Sequence, residues 1–129
     1  MEYPDPERLI GDWLRDTLSI KVWEDPKPPA DKWITAPLAH VQRSPGGDTL
    51  ALTLDDVFLD CNVYAANADH ARSTANRIWS AMTLQLPRQT FQPSGVFVKS
   101  STCPTRPFWM ADSKYRRVAT YRVILHGLI

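Results

Sequence analysis

The sequence predicts an α+β fold: one mostly antiparallel, twisted sheet with two helices packed on one face, in a single domain over residues 1–129. Three observations predict it. Val57-Phe58-Leu59-Asp60-Cys61-Asn62-Val63-Tyr64-Ala65 alternates apolar and polar residues with a period near 2. After one short turn, Ala71, Ala75, Ile78, Trp79 and Met82 recur with a period near 3.6, so a half-buried strand folds back as a helix over its own sheet. Strand-like runs then follow the helix instead of alternating with further helices, which separates α+β from a wound parallel sheet.

The elements follow in chain order. Asp5 is a good N-cap and Pro6 suits the first helical position, so a helix is expected over residues 6–18. Leu9, Ile10, Trp13, Leu14 and Leu18 form its apolar stripe, and Gly11 weakens it by up to about 1 kcal/mol relative to Ala. Ser19–Trp23 reads as a short strand and Glu24–Lys32 as a proline-bearing loop. Trp33–Arg43 is a weaker strand, which Pro37 confines at its start to an edge or bulge. Ser44–Asp48 is a turn, and Leu50, Leu52 and Leu54, alternating with Ala51 and Thr53, are a strand or the approach to the strand at 57–65. The second helix is expected over 68–85, stopped by Pro87. Gly95–Cys103 reads as a strand, Pro104–Lys114 as a long loop holding Phe108 and Trp109, and Tyr115–Leu125 as a final strand rich in Val, Tyr, Thr and Ile. Leu59, Cys61 and Val63 are expected to face the helices.

Fifteen basic and fourteen acidic side chains leave a net charge of +1, which argues against a general affinity for nucleic acid or an anionic membrane. No apolar run is long enough to span a bilayer. Met1–Pro6 lacks the basic and apolar regions of a signal peptide, so the expectation is a protein kept in a cytoplasm unless an assembly carries it elsewhere. Cys61 and Cys103 are then expected as free thiols.

No motif declares a chemistry. Asp55, Asp56 and Asp60 are the best enzyme lead, since carboxylates on a strand can hold Mg²⁺. The order of elements resembles the restriction-type nuclease core, which needs an acid two residues before a lysine on an adjacent strand; here Phe97-Val98-Lys99 places Phe97 there. The plainer reading is a solvated turn followed by an outward strand residue. His40, His70, His126, Cys61 and Cys103 lack the paired spacing of zinc ligands and read as surface histidines and buried thiols. Gly46-Gly47 lacks the lysine of a phosphate loop. Arg116, Arg117 and Arg122, interleaved with Tyr115 and Tyr121, suit nucleic acid or, more plainly, a solvated or intersubunit edge, with Arg117 and Arg122 on opposite faces. Trp33, Phe91, Phe108 and Trp109 lie in or beside proline-rich loops, where large apolar groups are either satellite core or contact surface; they are candidate contact residues, together with Asp60 and Arg122.

Val41-Gln42-Arg43-Ser44-Pro45-Gly46-Gly47, Leu59–Ala65 leading into an alanine-rich helix, and Arg117-Val118-Ala119-Thr120-Tyr121-Arg122-Val123 near the end occur in the order and spacing of one family. With the helix at Asp5–Leu18, the pattern resembles the tail terminator proteins of long-tailed bacteriophages over most of the chain. The resemblance implies a small α+β subunit that forms a homo-oligomeric ring, commonly a hexamer. The ring caps the major tail tube, stops its polymerisation, and meets the head-completion or connector protein. It implies a place at the tail–neck junction of the virion, reached from the host cytoplasm. DNA passes through the channel without specific binding, and no catalytic residue, cofactor, metal or membrane is involved. The alternatives are another neck ring, such as a head-completion or stopper protein, and a degenerate Mg-dependent nuclease-fold enzyme using Asp55, Asp56 and Asp60.

Overall fold

A computed structural model describes residues 5–24, 37–44, 48–51, 54–92, 94–110 and 115–127. It is an α+β structure: helix α1 (Pro6–Leu18) and helix α2 (Ala68–Ser80) lie on one face of a mixed sheet. The strands are β1 (Lys21–Trp23), β2 (Leu38–Arg43), β3 (Asp48–Ala51), β4 (Leu54–Tyr64), β5 (Thr90–Phe91), β6 (Val96–Trp109) and β7 (Arg116–His126). They are ordered β1-β2-β4-β7-β6-β5, with β3 beside β4. The β1–β2 pair is parallel and the others are antiparallel.

Local chemistry sets the helix ends. The Asp5 carboxylate accepts a hydrogen bond from the Glu7 N–H at 3.1 Å, and Ser19 closes α1 in the left-handed conformation. Arg77 of α2 donates to the Leu18 carbonyl at 2.7 Å, so one helix satisfies the C-terminal end of the other. The Asn67 side chain accepts from the His70 N–H at 2.9 Å and starts α2. Past Ser80 the helix widens into a π-helical turn over Ala81–Gln85, whose Leu86 N–H reaches the Ala81 carbonyl at 2.8 Å.

Strand alternation puts Leu59, Cys61 and Val63 of β4 and Ala119, Tyr121, Val123 and Leu125 of β7 under the helices. Ile10 and Leu14 of α1, with Ala75 and Ile78 of α2 and Met82 beyond it, close the core from above. Leu9, Trp13, Leu18 and Trp79 pack around its margin.

Three expectations are corrected. Residues 104–109 are not loop: β6 runs on to Trp109 and pairs Phe108 with Val118 and Trp109 with Arg117. Pro104 and Pro107 fit because the register slips between Thr102 and Thr105 and again between Thr105 and Phe108, so each proline occupies a bulge where no ladder N–H is required. Asp55 and Asp56 lie within β4, at 7% and 5% exposure, not in a solvated turn. The arginine-bearing β7 is not an edge, since β4 and β6 flank it on both sides. The expected loop at 24–32, most of the turn at 44–48 and Trp33 lie outside the described residues, apart from Glu24, Ser44 and Asp48.

Candidate functional site

The face of the sheet opposite the helices carries a cross-strand ladder of polar and aromatic side chains. Arg122 of β7 donates through Nε and Nη2 to the two Asp56 oxygens, at 2.9 and 2.7 Å, and lies 5.7 Å from the Phe58 ring centre. Thr120 Oγ1 donates to Asp60 Oδ1 at 2.8 Å. Arg116 Nε donates to Asn62 Oδ1 at 2.9 Å and lies 5.7 Å from the Tyr64 ring centre. The hydrogen bond from Arg122 holds the Asp56 carboxyl below its usual range against the opposing cost of burial, and the same bond raises Arg122.

The three acids do not converge. Asp55 projects from the opposite face of β4 to Asp56 and Asp60, and pairs with Arg43 at 3.2 Å. Asp56 and Asp60 share a face but lie four residues, roughly 13 Å, apart along the strand. Lys99 is on β6, separated from β4 by β7. Among the described residues no three His, Cys, Asp or Glu side chains form a group that could hold a metal ion. His40 is buried in β2, not a surface histidine, while His70 is exposed. Cys61 and Cys103 are free. Burial pushes the Cys61 thiol up to about 12, and it also raises Cys103, against the pull of Arg106.

On the helix side, α2 and the β6–β7 hairpin enclose a recess of about 490 Å³ lined by Asn76, Trp79, Ser80, Arg106, Pro107 and Arg117. Two guanidinium groups lie over indole rings there: Arg106 is 4.9 Å from the Trp79 centre and Arg117 4.8 Å from the Trp109 centre. Arg72 approaches Trp109 as well, at 5.8 Å. Arg117 Nη2 donates to the Pro107 carbonyl at 2.9 Å, satisfying an oxygen in the second bulge. Burial, and then the charge of Arg72, lowers Arg117 from its ordinary value. The Nε of Arg117 and the Nε1 of Trp79 are buried without an acceptor.

The six candidate contact residues separate accordingly. Asp60 and Arg122 stand on the ladder face. Phe108 and Trp109 are consecutive near the end of β6 and point to opposite faces of the sheet, Phe108 opposite Val118 on the ladder face and Trp109 opposite Arg117 on the helix face, at 43% and 39% exposure. Phe91 packs against the margin of the core, and Trp33 lies outside the described residues. The sequence reading missed the recess because its residues come from three elements with no common spacing. The prolines flanking Arg106 pointed to a loop, and Trp79 was counted with the core.

No protein-family model matches the chain, and no curated protein matches it.

Proposed function

We propose that the chain is a virion assembly subunit, a tail terminator that closes into a homo-oligomeric ring, caps the tail tube and joins it to the head connector. The observation that carries the reading is the pair of open sheet edges. Among the described residues, β1 ends the strand order on one side with a single partner, β2. On the other side, β5 pairs with β6 only at Val96 and Phe97, which leaves the outer edge of β6 beyond Val98 without a partner strand among the described residues. Two different edges at opposite ends of one sheet suit a head-to-tail contact, and such contacts generate closed rings when the rotation closes. Pro104 and Pro107 on β6 oppose indiscriminate strand addition, which favours a specific partner over open-ended pairing. The described helices are neither long nor apolar enough to cross a membrane. The order and spacing of the elements, which resemble the terminator family, supply the rest of the support.

Negative-stain images and native mass spectrometry of the purified protein, alone and with tail tubes, test this. Closed rings, or rings that form on tube ends, are the expected result. A strict monomer that also fails to bind tubes would sink the proposal. Rings that bind connectors and ignore tubes would transfer it to a head-completion subunit.

A further inference from the structure

The recess between α2 and the β6–β7 hairpin gathers arginines and indole rings from three elements on the helix side of the sheet. Arg106 and Arg117 meet no carboxylate among the described residues, and Arg72 pairs only with the exposed Asp69 at 3.3 Å. Positive charge is therefore concentrated in one place on a chain whose net charge is only +1. Arg106 lies over the Trp79 ring and Arg117 over the Trp109 ring, so an aromatic face holds each guanidinium group in place. The guanidinium of Arg106 has no carboxylate partner among the described residues and suits a planar, two-oxygen acceptor, while Arg117, whose Nη2 donates to the Pro107 carbonyl, adds a second positive charge beside it. The volume, about 490 Å³, falls among those of small-ligand sites.

We propose that this recess is a carboxylate-binding site that accepts an acidic segment of a partner protein. Arg106 and Arg117 clamp the carboxylate, and Trp79 and Pro107 supply the apolar walls. A nucleic-acid backbone fits less well, because binding along a strand needs a continuous basic groove with successive stacking platforms, and this is an isolated recess.

The test uses the full chain and a short fluorescein-labelled oligoglutamate peptide, followed by anisotropy and by quenching of tryptophan emission. An oligothymidylate of similar charge is measured in parallel. Binding of oligoglutamate that weakens with salt is expected, with about a tenfold loss in Arg106→Gln, roughly 1.4 kcal/mol. Arg106 is an exposed side chain, so this variant leaves folding intact, and circular dichroism checks it. Arg117→Gln removes the second positive charge and should weaken binding as well. Absence of oligoglutamate binding would overturn the proposal, as would unchanged affinity in Arg106→Gln. Tighter binding of oligothymidylate, lost in the same variant, would also overturn it and assign the recess to phosphate.

Discussion

Arg122 reaches diagonally across the sheet to Asp56: its register partner on β4 is Phe58, yet both of its hydrogen bonds land on the carboxylate two residues earlier. The guanidinium thus covers the Phe58 ring while neutralising an acid that is almost wholly buried. Breaking such a pair by removing one partner leaves a buried charge uncompensated.

This pair gives the fold an acid-sensitive contribution. The Asp56 carboxyl lies below its ordinary value of 3.8, chiefly through the hydrogen bond from Arg122. For a lowered acid, the stabilisation is complete above the unfolded-state value and is lost as pH falls through the folded-state value. Wild-type stability should therefore drop on acidification below about pH 4. Asp56→Asn should be less stable near neutrality and show a shallower acid limb. Urea titrations at a series of pH values check this, and parallel acid limbs in both proteins would exclude the assignment.

Gly11 of α1 lies against the end of the Glu24 side chain. A Cβ at this position would fall on the Glu24 carboxylate, whose Cδ would be 2.9 Å away. Glu24 is held there by Arg15 at 3.2 Å. Gly11→Ala should consequently gain less than the roughly 1 kcal/mol that helix propensity offers. In a Glu24→Ala background the fuller gain should appear. Chemical denaturation of the four proteins measures the coupling, and the same gain in both backgrounds would show that Glu24 does not matter.

Most of the fold was legible because it rests on period and on end chemistry. The limits of α1 follow from Asp5 and Pro6, and the burial of Leu59, Cys61 and Val63 follows from alternation alone. What escaped depends on partners distant in sequence. Pro104 and Pro107 indicate loop in any local reading, and only the slipped register against β7 lets them sit in a strand. Asp55 and Asp56 look like turn residues until Arg43 and Arg122 arrive to pair with them. Of the candidate residues, Phe108 and Trp109 are adjacent in sequence, yet strand alternation sends their side chains to opposite faces of the sheet. The arginines around Trp79 and Trp109 come together only through the packing of α2 on the hairpin.

Leu59 offers a direct measure of the core. It is 1% exposed at the centre of β4, in the cluster built from both helices and the sheet. Leu59→Ala should cost about 2–5 kcal/mol. Urea unfolding followed by tryptophan fluorescence is the measurement, and a cost below about 1 kcal/mol, as at exposed positions, would mean that the helices do not close over this strand.

Phe108 and Trp109 carry the last prediction, and their place in β6 sharpens it. Phe108 is opposite Val118 and Trp109 opposite Arg117, so the backbone ladder holds this part of the hairpin without their side chains. Both remain more than one-third exposed, and Trp109 meets Arg72 and Arg117 instead of the apolar core. Truncating them should thus cost the isolated subunit the two cation–aromatic contacts, about 0.5–1 kcal/mol each at exposed sites. A core role would cost about 3–5 kcal/mol for each aromatic residue removed. Contact between subunits or with the tube would be hit harder, since exposed aromatics beside arginine often anchor interfaces. The Phe108→Ala, Trp109→Ala double variant is measured by thermal unfolding and by tail length in a complementation assay. Near-normal melting with tails of irregular length is the expected outcome and places the hairpin against the tube. Tails of correct length that stay unattached to heads would place it against the connector. Early unfolding would return both side chains to the core and remove them from the list of contact residues.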